Sequence, residues 1–132
     1  MNKTIGLIIC VSFCASTAWA KPSLRQDPTV WNGLLSIGIA QQISEECTSI
    51  RARKIKAGFF LLSLQSHAKG LGYSSDEISD FVNDKTERSL LESQTYSYLD
   101  TNGVDRTDPQ SFCQLGKREI NLGSQIGVLL NG

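Results

Sequence analysis

Apolar residues recur at helical spacing through most of this chain, and nowhere do they alternate in the way a half-buried strand requires. Trp31, Leu34, Leu35, Gly38, Ile39, Gln42 and Ile43 fall on one face of a first helix. Asp27-Pro28 marks its start, an acidic cap followed by proline at the first helical position, and Cys47 lies near its end. Thr48 or Ser49 caps a second helix that runs through Ile50, Ile55, Phe59 and Leu62 to about Lys69. Its middle, Ala57 to Leu64, is apolar nearly all round, which predicts the most enclosed helix of the fold. Gly70 and Gly72 stop it, because a helix C-terminus often needs a left-handed residue.

Ser74-Ser75-Asp76-Glu77 reads as a capping box, with acids placed where the helix dipole favours them. The third helix uses Ile78, Phe81, Val82, Tyr96 and Leu99 on one face and ends at Asn102-Gly103. Asp108-Pro109 repeats the cap-plus-proline start. A fourth helix then carries Phe112, Leu115, Gly116, Ile120, Gly123, Ile126, Gly127 and Leu130 on one face. Short loops between four such helices predict an all-α, up-down-up-down four-helix bundle.

Length and composition narrow this reading. Met1 to Ala20 has the form of a signal peptide: Lys3, an apolar stretch from Ile5 to Val11, and a small-x-small site at Ala18-Trp19-Ala20. Cleavage after Ala20 leaves a chain for one domain, with an extended leader at residues 21–28 and a helical body at 29–132. That chain carries 12 Lys+Arg against 13 Asp+Glu, a balance that gives no electrostatic reason to expect binding to nucleic acid or to an anionic membrane. No further apolar run approaches the length of a membrane span. The expected location is the periplasm, and the expected partner a periplasmic or envelope protein.

Of four cysteines, Cys10 and Cys14 lie within the signal. Cys47 and Cys113 remain, and in an exported chain a lone pair of thiols is read as one disulfide. In the predicted bundle the end of the first helix and the start of the fourth lie at the same end, so the bridge would clasp first helix to last. Neither a CxxC nor a CxxCH motif occurs, and His67 is the only histidine, too little for a zinc set, so no metal and no cofactor are expected.

Four constellations are candidates for more than packing. Helical phase and depth place Glu119 near Lys85 and Arg88, with Arg53 close by, as an interhelical ion pair or a small polar pocket for an anionic ligand. Gly116, Gly123 and Gly127 share a face and predict close approach of another helix or ring; each costs about 1 kcal/mol against alanine in a helix. Arg51, Arg53, Lys54 and Lys56 form a basic cluster, either a solvated face or a docking patch. Asp100, Asn102, Asp105 and Asp108 lack the glycine and glutamate spacing of a calcium loop and read as helix caps. His67 serves the C-terminal dipole of the second helix, with no nucleophile placed beside it by motif.

The segments GIAxxIxxxC (Gly38 to Cys47), LGYSxxEIxxFVxDK (Leu71 to Lys85) and GVDxxDPxSFCxLGxxEIxxGSxIGxLL (Gly103 to Leu130) resemble a domain-of-unknown-function family of small exported alphaproteobacterial proteins. The resemblance spans nearly the whole exported chain, including its KPSLR start. It implies periplasmic location and a single disulfide; Cys47, Arg53, Lys85, Cys113, Gly116 and Glu119 fall on its motif positions, and no activity comes with it. The expectation is a non-enzymatic interaction or accessory module. The rivals are a binder of a small anionic ligand through a polar site between the third and fourth helices, and a small periplasmic hydrolase or hydrolase inhibitor.

Overall fold

The computed structural model describes residues 21–132, so the expected signal peptide and its cleavage site fall outside the described residues. Helix α1 spans Pro28–Glu46, capped by the Asp27 carboxylate, which accepts from the Val30 amide. After it come β1 (Arg51–Ala52), α2 (Lys54–Gly70), α3 (Ser75–Asn83), α4 (Lys85–Thr101), α5 (Pro109–Leu122), α6 (Gln125–Val128) and β2 (Leu130–Asn131). The expectation of four helices and no strand is thus corrected: the described residues form six helices and a two-stranded antiparallel ribbon.

Each departure has a local cause. The expected third helix is cut at Asp84, whose extended backbone and side chain, accepting from the Glu87 amide, make it the cap of a new helix. The expected fourth helix ends at Gly123, which adopts φ 61°; Ser124 then caps α6 by accepting from the Gly127 amide. The expected cap at Thr48 or Ser49 is not used. Ile50 is fully buried in the core, and Arg51 and Ala52 pair with Asn131 and Leu130, so α2 begins only at Lys54. The capping box at Ser74 and Glu77 forms in both directions.

The segment expected as an extended leader contains a 3-10 turn, Leu24–Gln26, and Leu24 is buried with Val30 and Ala68. One leucine in a polar stretch suffices, because its burial removes apolar area from water while the Ser23 hydroxyl accepts from the Arg25 amide. The folded body therefore starts earlier than residue 29.

Helix α1 is the axis of the molecule, packed by α2, α4, α5 and α6. The main core gathers around Ile39, Ile43, Ile50, Leu99, Leu115 and Leu129. Cys47, the residue that ends α1, is bridged to Cys113 near the start of α5, with Cα atoms 5.1 Å apart, as the clasp expectation requires. Helices α4 and α5 each pack on α1 rather than along one another. The described residues therefore form a mostly helical fold of six helices in which α4 and α5 are not a side-by-side pair.

Candidate functional site

Helix α2 carries two apolar stripes at helical spacing, and only one of them meets the rest of the protein. The inner stripe, Ala57, Phe60, Leu64 and Ala68, faces α1; Leu64 lies so close over Gly33 that a Cβ there would stand 2.7 Å from its methyl groups. The outer stripe is Ile55, Phe59 and Leu62, spaced four and three, and these are 80%, 69% and 60% exposed. The expectation that α2 is the most enclosed helix is overturned. An all-round apolar helix needs neighbours on every side, and α2 has substantial contact only with α1 and, more weakly, α3.

Two grooves flank this ridge. Between α1 and α2 a groove of about 730 Å³ is lined by apolar Ile37, Ala40, Ala57, Leu61 and Leu129 together with the charged Glu45, Arg51 and Lys54. Between α2 and α3 a smaller one of about 380 Å³ is lined by Leu24, Val30, Leu62, Ile78, Phe81 and Val82. Leu61 borders both. The basic cluster lies at the N-terminal end of the same helix: Arg51, Arg53, Lys54 and Lys56 are all exposed, and none is in an ion pair with a described residue. Contiguous apolar surface of this kind, edged by charge, is characteristic of binding surfaces.

No ion pair joins Glu119 to Arg53, Lys85 or Arg88. Glu119 is 4% exposed, as expected of a charge on an inner face. Its partners are hydroxyls: Tyr98 donates to Oε1 at 2.9 Å and Ser124 donates to Oε2. Lys85 and Arg88 are exposed in the first turn of α4, while Tyr98 lies ten or more residues further along, on the order of 15 Å or more at 1.5 Å per residue. Equal depth would bring these residues together only if α4 and α5 lay side by side, and they do not. Burial and the bond to Glu119 push the Tyr98 hydroxyl up to about 12.

Of the three glycines, Gly116 and Gly127 are close-packing sites and Gly123 is not. A Cβ on Gly116 would stand 2.5 Å from Ile50 and 2.7 Å from Ile43, and one on Gly127 would meet the Glu119 backbone. Nothing lies within 4 Å of the Cβ position of Gly123, whose left-handed backbone instead terminates α5.

His67, in the last turn of α2, approaches the Asp27 carboxylate through Nε2 at 3.1 Å and so ties the end of α2 to the start of α1. The Val30 amide and then His67 hold the Asp27 carboxyl below its usual range. The acidic loop does local work: Asp100 pairs with Arg106, Asp105 accepts from Thr107, Asn102 accepts from Arg118 and Asp108 caps α5.

The outer stripe of α2 is the feature that sequence reasoning placed wrongly. Its signal was present: stripes at 55/59/62 and at 57/60/64/68 interleave on one helix, and no Asp or Glu occurs from residue 48 to residue 75.

None of the curated proteins and none of the solved structures matches this chain. The pattern described as "Family of unknown function (DUF5333)" matches residues 22–131, and the chain belongs to that family.

Proposed function

We propose that this protein is an exported, non-enzymatic interaction module of the periplasm whose working surface is the outer face of α2. The observation that carries the reading is the exposure of Ile55, Phe59 and Leu62 on one helical stripe. Leaving three large apolar side chains in water forgoes on the order of 1.5 to 3 kcal/mol each relative to burial, and a binding surface is the usual return for such exposure. Its basic end supplies charge to guide an encounter.

The reading of a small anionic ligand between α4 and α5 loses its cations, since Lys85 and Arg88 are exposed and away from Glu119. Two cations, Arg51 and Lys54, do line the α1/α2 groove, together with Glu45 and apolar side chains.

A photo-reactive residue at position 59, expressed in the living cell and compared with one at exposed Gln114 on α5, tests the working surface. Adducts, protein or lipid, are expected at 59 and not at 114. Absence of any adduct at 59 at native expression overturns the proposal.

A further inference from the structure

We infer that the outer face of α2 lies on the surface of an anionic phospholipid bilayer, with Ile55, Phe59 and Leu62 in the acyl boundary and the flanking cations at the phosphates. This rests on the reading of α2 as the working surface and names its occupant.

Charge selects the occupant. Residues 48–75 hold five Lys and Arg and no carboxylate, whereas the remainder of residues 21–132 holds seven basic residues against thirteen acidic ones. The positive end of the molecule therefore coincides with its apolar ridge, and an anionic plane attracts this end while repelling the rest. At 100° per residue, Lys54 and Lys56 stand on opposite flanks of Ile55, and both are exposed. Their long stems can reach outward while the ridge between them enters the interface.

The same charges disfavour a second copy. Packing α2 against another α2, parallel or antiparallel, sets Arg53, Lys54 and Lys56 against either themselves or His67 and Lys69, with no carboxylate on either helix. A folded protein partner fits the ridge less well than a lipid surface does. Between Ile55 and Leu62 the only polar side chain is Lys56, while protein interfaces carry about one hydrogen bond per 100 to 200 Å². A fluid surface of uniform negative charge needs no matched donors. The mode is lying on the membrane rather than spanning it: α2 has 17 residues, and no described helix is long and apolar enough to cross a membrane.

Flotation of the protein, purified in the form its cells export, with vesicles of equimolar phosphatidylcholine and phosphatidylglycerol tests this against vesicles of phosphatidylcholine alone. Binding is expected to the anionic vesicles only, to weaken as salt rises, and to survive excess soluble glycerol phosphate, which separates a bilayer from a free headgroup. Phe59→Ser and Ile55→Ser should abolish flotation while leaving far-ultraviolet circular dichroism unchanged, since both side chains are exposed. Lys54→Ser and Lys56→Ser should each weaken binding about fivefold, and Lys117→Ser, an exposed cation on α5, should not. No flotation with anionic vesicles overturns the lipid assignment, as does flotation undiminished by Phe59→Ser or equally sensitive to Lys117→Ser. If position 59 still gives a protein adduct in the cell while vesicles fail, the working surface stands and the lipid occupant falls. If neither is found, both fall.

Discussion

Tyr98 donates a hydrogen bond to Glu119 at 2.9 Å, joining α4 to α5 through the one carboxylate that is buried among the described residues. Ser124 donates to the other carboxylate oxygen and accepts from the Gly127 amide, so a single side chain organises the ends of three helices. A buried carboxyl group with a hydroxyl donor at each oxygen has its acceptors satisfied without a cation.

Replacing Glu119 by Leu removes the acceptor for both hydroxyls, and a loss of about 2 to 4 kcal/mol is expected in urea unfolding. Gln should cost less, because its amide oxygen still accepts from Tyr98. Lys85→Ser and Arg88→Ser, at exposed positions, should change stability by no more than about 0.5 kcal/mol. A large loss at Lys85 or Arg88 would restore the ion pair.

Tyr98 also sets an alkaline limit. In the unfolded chain a tyrosine ionises near its ordinary value of about 10, while in the folded protein Tyr98 is pushed up to about 12. Between these values the unfolded state releases the proton and the folded state keeps it, so stability falls as pH rises through that window. Ultraviolet titration of the phenolates should show a transition near pH 12 that Tyr98→Phe removes.

Asp27 acts in the opposite sense. Its carboxyl is held below its ordinary range first by the Val30 amide and then by His67. Its contribution is present above the ordinary aspartate pKa of about 4 and is lost as pH falls below it. Asp27→Ala should cost about 1 kcal/mol as a lost helix cap, and the acid-side slope of the urea midpoint should be shallower in Asp27→Asn.

The glycines of α2 and α5 should respond with opposite signs. Gly116→Ala forces a Cβ into Ile50 and Ile43 and should destabilise by about 1 to 3 kcal/mol in thermal unfolding, in spite of better helix propensity. Gly58→Ala meets open space on an exposed helix and should stabilise by up to about 1 kcal/mol. Stabilisation at both sites would contradict the packing described.

Reduction of the Cys47–Cys113 bridge, which closes a loop with a sequence separation of 66, should cost about 4 kcal/mol on the chain-entropy account. Urea unfolding with and without reductant measures it directly. A change below about 1 kcal/mol would mean that the unfolded chain is already compact.

Much of this protein was legible from residues alone because the relevant forces act within a few positions. Asp27-Pro28, Ser74 with Glu77, and Asp108-Pro109 each start a helix through bonds to amides two or three residues away, and all three do so in the structure. The disulfide was legible as well, since outside the expected signal segment Cys47 and Cys113 have only each other to pair with. The helix breaks at Asp84 and at Gly123-Ser124 use the same local chemistry, beneath an apolar periodicity that runs on through both.

What the residues could not decide was which side of an apolar helix faces inward. Ala57 to Leu64 has stripes on both faces, and only the packing of α1 on one of them leaves Ile55, Phe59 and Leu62 in water. Likewise, helical phase placed Glu119 inside, but its partner depended on how α4 and α5 are arranged around α1. The buried side of a helix with one apolar and one polar face is set by that helix alone, whereas the burial of a helix apolar all round, and the identity of any buried side chain's neighbour, are set by the relative placement of two helices. The first is a short-range property that sequence determines; the second is a property of tertiary structure.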